Sequence, residues 1–109
     1  MARGSDFIDF VLEQLAPLGN VRARAMFGGF GIYRGDTIFA IVLDDRLYLK
    51  ANGETRGEYE SRGLSQFTYP ARGKTRRLSY SEAPAEVFEE PESMCEWARR
   101  ALAAAIRPQ

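Results

Sequence analysis

Apolar residues first recur at helical spacing. Ile8, Val11, Leu12 and Leu15 form one stripe, widened by Phe7 and Phe10, which predicts a core-facing helix. Ser5 is placed to cap it, and Asp6 and Asp9 sit in the first turn, where carboxylates favour the positive end of the helix dipole. Pro17 and Gly19 end it. Its polar face is acidic and carries no lysine, unlike a membrane-surface helix.

From residue 21 the period changes to two. Ala23, Ala25 and Phe27 alternate with Arg22, Arg24 and Met26. Gly28-Gly29, Arg34-Gly35-Asp36 and Asp44-Asp45 are turn signals, and three tight connections predict four antiparallel strands in a meander over residues 21–50. The run Ile38–Leu43 is apolar on both faces, so it is expected to be the central strand with cover on both sides. A second, mostly solvated helix is expected from Asn52 to Gly63, with Tyr59 its one large apolar residue. Phe67 and Tyr69 mark a fifth strand and Leu78 and Tyr80 a sixth, joined by the basic turn 71–75. Pro84 opens a short helical segment with Val87 and Phe88. Pro91 suits the first position of a last helix, whose buried face would carry Met94, Trp97, Ala98, Ala101, Leu102 and Ala105. The predicted order is α-β4-α-β2-α-α, a two-layer α+β domain with a curved antiparallel sheet of about six strands flanked by helices. It reads as one domain over residues 1–109, with its core over about 5–106.

Composition narrows the chemistry. The 109 residues contain no histidine and one cysteine, so histidine-based triads, histidine general bases and imidazole zinc sites are excluded. Cys95 has no internal disulfide partner, which fits a reducing compartment, and the N-terminus lacks the apolar stretch of a signal peptide. No run is long and apolar enough to predict a membrane span. The reading is cytoplasmic. Cys95 lies beside the core stripe of the last helix with no histidine to activate it, and is expected to be a half-buried small hydrophobe. Asp44-Asp45 suits a strand turn for backbone reasons and needs no metal. Gly28-Gly29-Phe30-Gly31 leads into a strand rather than a helix N-terminus, so it reads as a hairpin with a bulge and not as a phosphate loop. No cofactor, metal or catalytic constellation is predicted, and the chain reads as a non-enzyme.

Charge is balanced at 15 basic and 15 acidic residues, but not evenly along the chain. Residues 1–81 carry a net +3 and residues 82–109 a net −3. Arg22 and Arg24 share one strand face, and Arg72, Lys74, Arg76 and Arg77 cluster within six residues. These six are the candidate contacts for a protein partner or a nucleic acid. An isoelectric point near 6.3 argues against strong non-specific nucleic-acid binding, which draws on a basic excess.

The segment Arg24-Ala25-Met26-Phe27-Gly28-Gly29-Phe30-Gly31-Ile32-Tyr33 resembles the N-terminal domain of the TfoX/Sxy family, bacterial regulators of natural competence. The likeness continues through Phe39-Ala40, Asp45-Arg46-Leu47-Tyr48-Leu49-Lys50, Phe67-Thr68-Tyr69, Leu78–Pro84 and Trp97–Leu102. It implies a two-layer fold similar to secretion-chaperone-like and YjbR-like domains. Met26, Phe27, Gly28, Gly29, Gly31, Tyr33, Asp45, Arg46, Leu47 and Tyr48 then serve as structural motif residues. It also implies a regulatory role beside a transcription factor of the cyclic-AMP receptor type, with no cofactor and no catalytic residues to carry over. Full-length regulators of this kind have a second, helical C-terminal domain, and a chain ending at Gln109 reads as a stand-alone N-domain. The relatives' behaviour and 13 aromatic residues in a small chain point to a homodimer.

Three functions follow in order. The first is a non-enzymatic interaction module, a transcription co-regulator acting through protein contacts. The second is direct nucleic-acid binding through Arg22, Arg24 and the 72–77 hairpin. The third is an unrecognised small-molecule enzyme, which would require converging acids in a pocket.

Overall fold

The structure is a computed structural model that describes residues 3–26 and 28–106, with side chains described except at 3–5, 69–71 and 76. Helix α1 (Arg3–Leu15) runs into a 3-10 turn (Ala16–Leu18). Strands β1 (Val21–Met26), β2 (Gly29–Arg34), β3 (Thr37–Leu43) and β4 (Arg46–Lys50) follow as a meander. After α2 (Arg56–Ser61) come β5 (Gln66–Ala71) and β6 (Lys74–Glu82), a 3-10 turn (Ala85–Phe88) and α3 (Pro91–Ile106). The six strands make one antiparallel sheet in the order β1-β2-β3-β4-β6-β5, so the fold is α+β as expected.

The hairpins close as the turn signals predict. Asp44 and Asp45 both take positive φ (53° and 59°), as do Arg72 and Gly73 (54° and 77°). Two successive left-handed residues form the turn whose twist matches the flanking strands. Gly29 is required for another reason: a Cβ there would collide with the Val42 carbonyl of the neighbouring strand. A register shift between β2 and β3 leaves Phe39 as an extra residue, so Phe39 and Ala40 both enter the main core.

That core lies between the sheet and the helices. Ile8, Val11 and Leu15 of α1 and Met94, Trp97, Ala98 and Ala101 of α3 pack on Ile32, Phe39, Ala40, Val42, Leu47 and Leu49. Gln14 donates to the Val87 carbonyl at 3.1 Å, tying α1 to the second 3-10 turn.

Five local expectations are corrected. The first helix starts at Arg3, so Ser5 lies inside it rather than capping it. The second starts at Arg56: Asn52 instead accepts the backbone N–H groups of Glu54 and Thr55 at 2.9 and 3.0 Å, closing a turn before the helix. On α3, Ala104 is buried and Ala105 is half-buried. Cys95 is buried rather than half-buried, its thiol 3.7 Å from the Gln14 carbonyl where α1 crosses α3. Lastly, β3 has a helical layer on one face only. Its other face is occupied by a satellite cluster of Ile41, Phe67 and Tyr80 with Leu43, Tyr48 and Leu78, and no described element lies over it.

Candidate interaction surface

Alternation along the strands decides which side chains reach this open face. Ala40, Val42, Leu47 and Leu49 point to the helices, so Ile41, Leu43, Arg46, Tyr48 and Lys50 point away. Register then sets neighbours: Ile41 lies opposite Tyr48, Tyr48 opposite Glu82, and Lys50 opposite Tyr80. At the β1 edge Arg22 lies opposite Tyr33, and the guanidinium carbons of Arg22 and Arg24 stand 5.2 and 5.9 Å from the Tyr33 ring centre. The Lys50 ammonium stands 5.2 Å from the Tyr80 ring centre. Tyr48 meets Phe67 edge-on at 5.0 Å. Cations stacked on rings across an apolar floor give a face that is greasy and positive together.

Burial is the largest cause of the raised pKa of two tyrosines here, Tyr48 and Tyr80. It pushes Tyr80 up, with Tyr33 adding to the rise; it also raises Tyr48, with Glu82 adding and Arg46 opposing. Arg46 is 3.9 Å from Glu82, and Arg22 is 3.9 Å from Asp36 while donating to the Gly35 carbonyl at 3.2 Å. Among the described residues Arg24 and Lys50 have no acidic partner.

The six basic candidates fall in two places. Arg22 and Arg24 are exposed on β1, one edge of the sheet; Arg72, Lys74 and Arg77 are exposed on the β5–β6 hairpin at the opposite edge, about 20 Å away along the sheet at ~4.8 Å per strand. Arg76 pairs with Tyr69 across that hairpin, and its side chain is outside the description. Of the motif residues, Met26 ends β1 opposite Gly29, and its sulfur crowds the space beside Gly31. Gly28 takes φ +78°, Asp45 is in the turn, and Leu47 is in the core. Tyr33, Arg46 and Tyr48 belong to the open face, and Phe27 lies outside the described residues. Sequence reasoning passed over Lys50 and Tyr80; the alternation 46-48-50 on β4 already placed Lys50 with Tyr48, while Tyr80 joins them only through the β4–β6 register.

A second cluster is a clamp on the helix side. The indole N–H of Trp97 donates to Glu86 at 3.2 Å, and the guanidiniums of Arg62 and Arg100 stand 5.1 and 4.4 Å from its ring centre. Arg62 meets Glu86 at 2.8 Å, and Arg100 meets Glu58 at 2.9 Å and Glu96 at 3.2 Å. Donation from Arg62 and then Trp97 holds the Glu86 carboxyl below its ordinary range, and Glu58 raises Arg100. Beside the clamp Tyr59 is buried against Trp97 at 5.4 Å, its hydroxyl without a hydrogen-bond partner among the described residues, and burial pushes its pKa up to about 12. These groups staple α2 to α3.

Recesses offer little to a catalyst. One of about 120 Å³ is lined by Asn52, Arg56, Gln66, Ser79 and Ser81, and two shallow ones flank Ile106 at the end of α3. None of the three brings two acids together, and no group of three metal-ligating side chains converges among the described residues. No helix among the described residues is long and apolar enough to cross a membrane.

Fold and surface together define a small α+β domain whose single sheet is roofed by helices on one side and open, aromatic and cationic on the other. The chain belongs to the TfoX N-terminal domain family, whose model matches residues 13–105. It is 32% identical over 83 residues to the DNA transformation protein TfoX1 of Aliivibrio fischeri, covering 76% of this chain and 37% of that protein. It is 27% identical over 95 residues to protein Sxy of Escherichia coli, covering 87% of this chain and 46% of that protein. The chain therefore spans less than half the length of these relatives.

Proposed function

We propose that this domain is a non-enzymatic regulatory module, a cytoplasmic transcription co-regulator that works through protein contacts made on the open face of its sheet. The observation that carries this reading is the face itself: Met26, Tyr33, Ile38, Leu43, Tyr48 and Leu78 are half-buried around a buried floor, and at its rim Arg24 and Lys50 have no acidic partner among the described residues. Tyr, Met and Arg around an apolar centre is the composition of protein interfaces. Family membership, and a relative described as a DNA transformation protein, support a role in competence. The partner the resemblance implies is a transcription factor of the cyclic-AMP receptor type.

The test is binding of the purified cyclic-AMP receptor protein from the same cell, read by sedimentation with three forms of the domain. These are the wild type, the double variant Arg24→Glu with Lys50→Glu, and the triple variant Arg72→Ala, Lys74→Ala, Arg77→Ala. We expect a complex that the double variant loses at least tenfold and the hairpin variant retains. No complex with wild type overturns the partner, and equal loss in both variants overturns the face.

One observation favours a second reading, direct nucleic-acid contact. The sheet segments 21–50 and 66–82 hold nine cationic against four acidic residues. Duplex DNA that gives no change in anisotropy at low salt removes this reading.

A further inference from the structure

The strand β3 is apolar on both faces, as a strand buried between two layers is, yet the described residues supply a layer on one face only. What would cover the other face must be apolar at its centre and negative at its rim. The domain carries such a surface on its own opposite side. Phe10 of α1 is the large exposed aromatic of the helix layer, at 36% exposure, and it stacks on Phe88 at 6.3 Å, with Phe7 meeting the same ring at 5.8 Å. Asp6, Asp9 and Glu13 lie on the same helix within one turn of Phe10, and Glu89 and Glu90 follow Phe88 directly. None of these five acids makes an ion pair with a described residue. Chain segments outside the sheet hold eleven acidic against six cationic residues, the mirror of the excess on the sheet.

We propose that the open sheet face is a docking site for a second copy of this chain, which presents the surface formed by its helix α1 together with Phe88. Helix α1 of one copy lies across strands β2, β3, β4 and β6 of the next, completing the missing layer. Phe10 meets the floor of Leu43, Tyr48 and Leu78, and the acids of α1 meet Arg24 and Lys50. The two surfaces lie on opposite sides of the domain, so the contact is heterologous: it repeats head to tail instead of closing a twofold pair. A twofold pair through the sheet faces would set cation against cation, which charge disfavours. Because the docked copy sits on the face assigned to partners, association would also mask that face. The self-contact stands independently of the regulatory reading, since no partner enters its test.

The contact is electrostatic at its rim, so it weakens as the screening length falls from ~30 Å at 0.01 M salt to ~8 Å at 0.15 M. Sedimentation of the wild-type protein at about 0.01 M salt should give a weight-average mass that rises with concentration past twice 12.3 kDa. Raising the salt to about 0.5 M should return it to the monomer. The double variant Arg24→Glu with Lys50→Glu, and the double variant Asp9→Lys with Glu13→Lys, should each stay monomeric at low salt, with unchanged circular dichroism showing that they fold. An equimolar mixture of the two should associate again at low salt into chains in which the variants alternate, because the reversed faces fit each other and the unaltered acidic helix still fits the unaltered cationic sheet. A wild type that is monomeric at low salt, or that stops at a dimer, overturns the proposal. So does a mixture that does not associate. A (dT)15 oligonucleotide that shifts the amide resonances of Arg24 and Lys50 while the protein stays monomeric also overturns it, and gives the face to single-stranded nucleic acid.

Discussion

Tyr59 shows how one atom can work against its own side chain. The ring fills the core against Trp97, but the hydroxyl is buried with no partner among the described residues, an arrangement that costs about 1–3 kcal/mol relative to a satisfied group. Tyr59→Phe keeps the ring and removes the orphan, so urea unfolding at pH 7 should show stability equal to wild type or up to about 1 kcal/mol higher. Tyr59→Ala should lose about 3–5 kcal/mol by emptying the site. The same hydroxyl gives a pH signature. Its pKa rises from 10 in the unfolded chain to about 12 when folded, so the folded state holds the proton longer. The stabilising share is complete below pH 10 and is lost as pH climbs through 10 towards 12. The loss amounts to roughly 2–3 kcal/mol at ~1.4 kcal/mol per pKa unit. Tyr59→Phe should flatten that decline, and Tyr48 and Tyr80, raised in the same direction, contribute to what remains. The two glycines of the β2 start separate by a related logic. Gly29→Ala drives a methyl into the Val42 carbonyl, which is backbone and cannot yield, and should cost about 2–3 kcal/mol. Gly31→Ala meets side-chain atoms alone, of Met26, Ile38 and Tyr33, and should cost less, about 1 kcal/mol, in the same urea titration.

At the scale of elements, what the sequence reveals depends on how local the cause is. The strands were legible because Asp44-Asp45 and Arg72-Gly73 carry their turn conformation in adjacent residues. The start of α2 was not, because Asn52 can cap a helix or close a turn with the same oxygen, and Thr55 three residues on decides which. The burial of Cys95 depends on Gln14, which is 81 positions away, and no periodicity reports that. The Trp97 clamp was invisible for the same reason: Arg62, Glu86 and Arg100 meet over the indole from three different elements. The open face was half legible. Alternation placed Arg22 with Arg24 and hinted at Tyr48 with Lys50, but whether a second layer covered β3 was a question of topology. The clamp makes its own prediction. Glu86 is held ionised by Arg62 and Trp97, so its contribution to stability is full above the ordinary carboxyl pKa and is lost as pH falls through its depressed value. Glu86→Gln keeps the shape and removes that titration; its acid unfolding curve should be flatter than wild type at the low-pH end, while Trp97 fluorescence at pH 7 stays unchanged. A curve that overlays wild type would assign the acid sensitivity elsewhere.

At the scale of the whole molecule, a net charge of zero describes no part of the surface. Sequence position suggested a split at residue 82, but the fold redraws it: the sheet segments hold an excess of five cations and the segments outside them an equal excess of acids. Arg46, Lys50 and the hairpin gather with Arg22 and Arg24 in one sheet although they are spread over more than fifty positions. A molecule so divided should behave as two proteins on charged supports. At pH 7 and about 0.02 M salt, where the screening length exceeds ~20 Å, it should be retained on both heparin and a quaternary-amine resin. Each support selects the layer it attracts. Changing Arg24 and Lys50 together to Glu lowers the sheet's excess by four and leaves the helices untouched, so that variant should leave heparin at markedly lower salt and hold at least as well to the amine resin. Changing Asp9 and Glu13 together to Lys should do the reverse. If both variants shifted equally on both resins, the two layers would not act as separate charged faces, and net charge alone would describe how this domain meets its surroundings.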